Sequence, residues 1–372
     1  MPTVNSGDAT AKQPSMVFHA PYPMEPNPTA ASRLRPLRMR EAFASIGYRV
    51  IDVSGTTPQR RKALKELRAM LRRGERPEFL YSENSTQPNL LATSVKDGVA
   101  PFLDYAIMKE ARRAGVPVGI FYRDVYWKFS FGAPSLRKRI LPWLQAADLR
   151  GYLRNGAHFF LPSAPMGKYL ELPAGVSTSV LPPAGDKGMT LPLPAGPLRL
   201  FYVGGLGGHY KFETLLHAVR DLDGLEMDLV TRKQQWEQVV SQDPSLADPS
   251  ISVHHLTSNE LDPLYERCHV GILAVDPSEY WRFAVPVKLF EYISRGRPIL
   301  VTKGTEAARI VEDLGVGWSV ENTYESIMET LVYLSEHPEE VQAKAEHTVE
   351  VAPTQTWEAR ANTVAKTLKG RF

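Results

Sequence analysis

Lys288 and Glu291 stand three residues apart in the stretch PVKLFEYISRGRPILVT, Pro286 to Thr302. Helical spacing of this kind puts an ammonium and a carboxylate on one face. Pro286 suits a first helical turn, Gly296 suits a stop, and Pro298 leads into a β-branched strand, which leaves roughly two to three turns of helix between them. The free amides of such an N-terminus favour anions. A cation beside a phosphate and a carboxylate beside a diol fit that geometry, as does a solvated Lys/Glu pair on a surface helix.

Other candidates sit at strand ends. Asp124, in GIFYRDVYW, is placed to take a proton from an attacking hydroxyl, and Glu83, in FLYSENS, is the second carboxylate of that type. A salt bridge to Arg123 or a helix cap would use Asp124 structurally instead. Gly204 and Gly205 open the run GGLGG between a strand and the helix KFETLLHAV, so the backbone there can approach a phosphate, although the spacing is not G-x-G-x-x-G. Arg232 follows MDLVT, and His255 ends ISVHH. The loop SEYWRFAVP offers Glu279, Tyr280 and Arg282 to a sugar or diphosphate, and serves equally as a lid or as domain packing. The histidines are scattered without ligand spacing, so no metal and no cofactor is expected.

The elements that must position these residues alternate short apolar runs with amphipathic stretches. MVFHAPYP, LRPLRMREAFASIGY, RVIDVSG, EFLYSEN, a helix near Pro101–Ala114 and VPVGIFYRD give a βαβ rhythm. A second series runs through LRLFYVGG, MDLVTRK, ISVHH, VGILAV and PILVT. The expected fold class is α/β, two doubly wound Rossmann-like domains facing a cleft, with ligands at the carboxyl ends of the strands. The proline-rich stretch LPPAGDKGMTLPLPAGP marks the boundary. We read residues 1–15 as a disordered leader, 16–190 as the first domain, 191–197 as the linker, 198–355 as the second domain and 356–372 as a helix returning to the first.

A length of 372 residues favours two cores over one. No run of about eighteen apolar residues exists and the N-terminus is polar, which argues against a spanning segment or signal peptide. The single cysteine, Cys268, excludes an internal disulfide and reads as a packed thiol; a cytoplasmic setting is expected. The net charge of +3 conceals a division: residues 1–190 hold 27 Lys+Arg against 15 Asp+Glu, and residues 191–372 hold 17 against 26. An anionic partner is therefore expected for the first half. TPQRRKALKELRAMLRRGERP and WKFSFGAPSLRKRILPWL both combine apolar and basic residues and suggest peripheral contact with an anionic membrane; the first reads equally as a helix packed on the sheet. Nothing supports nucleic acid as the partner.

Lys288-Leu289-Phe290-Glu291-Tyr292, with Pro286 before it and Gly296-Arg297-Pro298 after, resembles the donor-nucleotide motif of GT-B glycosyltransferases, in particular the family 4 (group 1) enzymes. The resemblance runs from Phe201 to about Leu368 and is faint over the other half. It implies that Lys288 lies near the diphosphate, that Glu291 holds the ribose hydroxyls, that Leu289 between them belongs to the donor site, and that the first domain takes the acceptor. In many relatives an arginine follows the first glycine of the strand–glycine turn and a lysine comes later; here Gly205 stands for the arginine and Lys211 for the lysine. Retaining members usually carry a second glutamate eight residues before the ribose glutamate, where this chain has Phe283, so the stereochemical course is open. The implied function is transfer of a sugar from a nucleotide sugar, UDP-linked first and GDP-linked second, to a hydroxyl of a glycan or lipid-linked acceptor in cell-surface polysaccharide or glycolipid synthesis. A non-catalytic nucleotide-sugar-binding subunit and a nucleotide-sugar epimerase are the alternatives.

Overall fold

The computed structural model describes residues 13–24, 31–89, 98–129, 136–206, 212–257 and 260–370. The first domain is a six-stranded sheet, β1 (Ser15–Ala20), β2 (Arg49–Ser54), β3 (Leu80–Glu83), β4 (Val118–Phe121), β5 (His158–Leu161) and β6 (Thr178–Val180), in the order β2-β1-β3-β4-β5-β6. Every pairing in it is parallel. Its helices are α1 (Ala31–Ser45), α2 (Thr57–Arg72), α3 (Leu103–Arg113), α4 (Leu136–Arg154) and the short α5 (Met166–Leu170). The strands are apolar at consecutive positions because both faces are covered. In β3, Leu80 faces the cluster under α2 and α3, while Tyr81 faces the cluster under α1; Phe159 and Phe160 of β5 divide the same way.

The second domain repeats the plan with β7 (Arg199–Val203), β8 (Glu226–Val230), β9 (Ile251–His254), β10 (Val270–Leu273), β11 (Ile299–Thr302) and β12 (Gly317–Val320), ordered β12-β11-β10-β7-β8-β9 and parallel throughout. Helices α6 (Glu213–Asp221), α7 (Lys233–Gln242), α8 (Asp262–Arg267), α9 (Val287–Ser294), α10 (Glu306–Leu314), α11 (Tyr324–Glu336) and α12 (Pro338–Val351) complete it. Leu200 and Tyr202 of β7 enter one core cluster and Phe201 the other. Cys268 is fully buried in the second of these, and burial pushes its thiol pKa up to about 12.

Two segments join the domains. The first sheet ends at Val180 and the second begins at Arg199; between them Gly185 donates its amide to Gln355 O at 2.9 Å and bridges to Thr356. A Cβ on Gly185 would lie 2.4 Å from Phe290 O, so only glycine lets the crossover rest on the back of α9. The chain then returns through α13 (Trp357–Lys369), whose N-cap Thr356 accepts from Ala359 N. Trp357, Ala361, Val364 and Leu368 complete the first domain's core under α1.

The amphipathic segment 57–72 is α2 and uses its apolar face internally. Leu64, Leu67 and Met70 are buried in the core cluster shared with the sheet and α3. Among the described residues no helix is long and apolar enough to cross a membrane.

Candidate functional site

The switch point of the second sheet lies between β7 and β10, from which the chain runs outward in both directions. Ligands of such sheets collect beyond the carboxyl ends of those strands. Gly204–Leu206 leave β7 at this point, and residues 274–286 leave β10 and deliver the chain to α9. Pro286 is the N-cap of α9 and supplies no side-chain cap, so the helix presents an open N-terminus.

Lys288 lies in the first turn of α9 with Nζ 4.2 Å from the centroid of the Tyr202 ring. Gly204 makes that approach possible: at φ +155°, a Cβ there would stand 2.4 Å from Lys288 Nζ and 2.8 Å from Tyr202 Oη. Burial draws the lysine pKa down to about 8, against the pull of Glu291 in the other direction. Glu291 follows one turn later; burial raises its carboxyl pKa, opposed by Arg295 and Lys288. A pocket between these elements is lined by Tyr202, Val275, Trp281, Pro286, Lys288 and Thr305. A half-buried ammonium at such a place gains when an anion arrives.

The other sequence candidates divide. Leu289 is fully buried in the core beneath α9, packed in the cluster with Phe290, Tyr292 and Ile293. The Gly204 amide is donated to Val230 O at 2.9 Å, so that glycine contributes closeness and not a free N–H. Gly205 accepts from Tyr202 Oη at 2.7 Å, which holds the aromatic shelf under Lys288. Lys211 lies outside the described residues. Arg282 and Glu279 are exposed on the 3-10 turn region after β10, and Glu279 accepts from Tyr169 Oη at 3.2 Å. Arg232 is exposed at the N-cap of α7. His255 is also exposed; its Nδ1 is 2.8 Å from Thr231 O, which can only accept, so Nδ1 carries the proton.

Across the cleft, Asp124 follows β4 and is partly buried. Its Oδ2 accepts from Tyr280 Oη of the second domain at 2.8 Å. Burial raises its pKa, and the Tyr280 hydroxyl with the amides of Tyr126 and Val125 moderates the rise. Glu83, the second carboxylate candidate, ends the neighbouring strand β3. It is fully buried, with Oε1 3.0 Å from Arg35 Nε and 2.7 Å from Tyr81 Oη, and Arg123 stands 3.8 Å from Oε2. Arg35 in turn donates to Pro182 O at 3.2 Å, so Glu83 anchors the interdomain crossover.

Sequence reasoning missed three features. Tyr202, immediately before the glycine turn in LFYVGG, forms the shelf for Lys288. Tyr280 reaches a carboxylate 156 positions away. His19, Ser82, Asp104 and Arg60 form a buried network, with His19 Nε2 2.9 Å from Asp104 Oδ1 and Nδ1 2.8 Å from Ser82 Oγ. Both ring nitrogens of His19 are committed and the side chain is fully enclosed, so this network holds β1, β3, α2 and α3 together. Among the described residues no group of three or more His, Cys, Asp or Glu side chains could hold a metal ion.

No family model matches the sequence. No curated protein matches it either. Solved structures do match along nearly the whole length. Sucrose-phosphate synthase from Thermosynechococcus elongatus is 14% identical, with 96% of this chain and 98% of that chain covered and a TM-score of 0.64. HepE from Anabaena, solved in complex with UDP, is 11% identical over 96% and 100%, with a TM-score of 0.63. A glycosyltransferase from Rickettsia africae is 12% identical over 96% and 98%, with a TM-score of 0.61. At these identities the likeness is one of fold.

Proposed function

We propose that this chain, built on the GT-B fold of the glycosyltransferases just described, transfers a sugar from a nucleoside diphosphate sugar to a hydroxyl of a glycan or lipid-linked acceptor. The arrangement of Lys288 over Tyr202, against a glycine turn at the switch point and one turn before Glu291, carries this reading. Lys288 and the open N-terminus of α9 offset charge on the leaving diphosphate, and Glu291 accepts from the ribose hydroxyls. Charge met in this way needs no metal. UDP is the first choice of nucleotide, since HepE is solved with UDP and with UDP-glucose.

Position 283 carries no carboxylate, and a direct displacement suits the site better than a double one. The acceptor oxygen attacks the anomeric carbon, its proton passes to Asp124, and the bond from that carbon to the diphosphate oxygen breaks, with inversion. A thermal-shift screen of UDP, GDP, ADP and TDP tests the reading. UDP at about a hundredfold its Kd is expected to add roughly 2.7 kcal/mol to stability, and the gain should vanish in Glu291→Ala. No shift with any nucleotide removes the basis for a nucleotide-sugar enzyme.

The acceptor side suits a peripheral position on an anionic membrane. Val99, Phe102, Ile140 and Trp143 expose between 48% and 76% of their surface around the first turns of α3 and α4. Those helices lie side by side through Tyr105, whose ring is 5.8 Å from that of Tyr152. The sequence at the start of α4 is basic, with Arg137, Lys138 and Arg139 in succession, as is the domain as a whole. Sedimentation with phosphatidylglycerol vesicles is expected to bring the protein down, and phosphatidylcholine vesicles to leave it in solution. Phe102→Ser with Trp143→Ser should lower the bound fraction by roughly tenfold. Equal binding of the double variant would sink this part of the reading.

A further inference from the structure

The loop that frames the donor pocket belongs, by its side chains, to the other domain. Phe283 is buried within the first domain's cluster beside Ile120, Val125 and Met166. Its ring lies 5.4 Å from Phe129 and 4.8 Å from Tyr169, and its carbonyl accepts from Ser163 Oγ at 2.7 Å. Tyr280 packs on both Phe283, at 5.1 Å, and Phe129, at 5.8 Å, in edge-on geometry. Four aromatic rings from two domains therefore fix the direction of the Tyr280 hydroxyl.

That hydroxyl ends 2.8 Å from Asp124 Oδ2. The second oxygen, Oδ1, is enclosed and, among the described residues, meets no donor in full hydrogen-bond geometry, the amides of Val125 and Tyr126 standing near the carboxyl. A buried acceptor left without a donor is costly and calls for an explanation in terms of what it serves. A hydroxyl of an incoming ligand would supply the missing donor.

We infer that Tyr280 is the positioning residue of the reaction: it holds one oxygen of Asp124 so that the other is presented to the acceptor hydroxyl, and Phe283 anchors it there. The inference rests on the reading of Asp124 as the base of an inverting transfer. The base is then assembled from both domains. Oδ1 is enclosed as it stands, and a hydroxyl of the acceptor, or a water in its place, reaches it as the tip of the loop eases aside. The aromatic residue at 283, where relatives that retain configuration have a glutamate, gives that position to anchoring.

The test compares full-length wild type, Tyr280→Phe, Asp124→Asn and the double variant. With UDP-glucose as donor and water as nucleophile, Tyr280→Phe is expected to lower kcat about 30-fold with little change in KM, less than the roughly 10²–10⁴-fold that loss of a general base itself costs. Its acid limb should move to higher pH, because the lost hydrogen bond favoured the charged carboxylate. Melting temperatures from about pH 4 to 8 supply a readout without turnover. The stability gap between wild type and Tyr280→Phe should widen as the pH rises through the Asp124 titration, and should be flat in the Asp124→Asn background. An unmoved acid limb, or a gap independent of pH in both backgrounds, overturns the inference and leaves Tyr280 as a strut. Failure of the underlying reading shows separately, as absence of any nucleotide shift in the thermal screen.

Discussion

Replacing Lys288 with methionine is expected to weaken UDP binding by about a hundredfold and to erase its dependence on alkaline pH. In the free protein burial has drawn the ammonium pKa down to about 8. A diphosphate beside it favours the charged form, so the pKa rises on binding and a proton is taken up. The sign follows from linkage: affinity is full below the free-state pKa and falls as the pH passes through about 8, until the pKa of the complex is reached. Wild-type affinity should drop by about tenfold between roughly pH 7 and pH 9, as a one-proton coupling requires. Calorimetry at about pH 8.5 in two buffers of different ionisation enthalpy should register the uptake in wild type and none in Lys288→Met. Equal affinity of the two proteins at neutral pH would place the diphosphate elsewhere. Gly204→Ala should behave similarly, since a methyl group there occupies the space of Nζ.

Asp124→Asn is the second large effect. A drop in kcat of about 10³-fold with an unchanged donor KM is expected, because the amide keeps the shape and the acceptor for Tyr280 but takes no proton. Stability should move the opposite way. Burial raises the folded-state pKa of Asp124, so its carboxyl contributes most below the unfolded-state value and loses that contribution as the pH rises through the folded-state one. The variant should therefore melt higher than wild type at neutral pH and converge with it in acid. Loss of activity together with gain in stability separates a functional carboxylate from a structural one. For Glu83 the expected pattern is reversed, since removing it strands Arg35 in the interior.

The donor side was legible because its signals are local. Proline, the Lys/Glu spacing and glycine fall within one short helix, and each acts through the residues next to it. The candidates of the first domain depend on partners far along the chain. Asp124 and Glu83 end neighbouring strands and look alike in sequence; what separates them is Arg35, 48 positions before Glu83, and Tyr280, 156 positions after Asp124. Neither distance leaves a periodic trace. The strands TSV and HFFL are also short for a reading by alternation, and α4 is obscured by Pro142 within it. In Phe283 the sequence offered a missing carboxylate, and only packing could say that the position had turned toward the other domain.

The return of α13 has a consequence for biosynthesis. The first domain is translated first, yet Trp357, Val364 and Leu368 fill the face of its sheet beneath α1, and Gly119 in β4 is shaped to receive Leu368. Its nascent core stays open on that side while the entire second domain is being made. The later-synthesised module, whose sheet is contiguous from Arg199 to Val320, can complete its own packing as it emerges. The first domain's core is thus expected to close only after the second domain has been made, and a chain stalled before residue 357 lacks the helix that packs with Phe43 and Phe160.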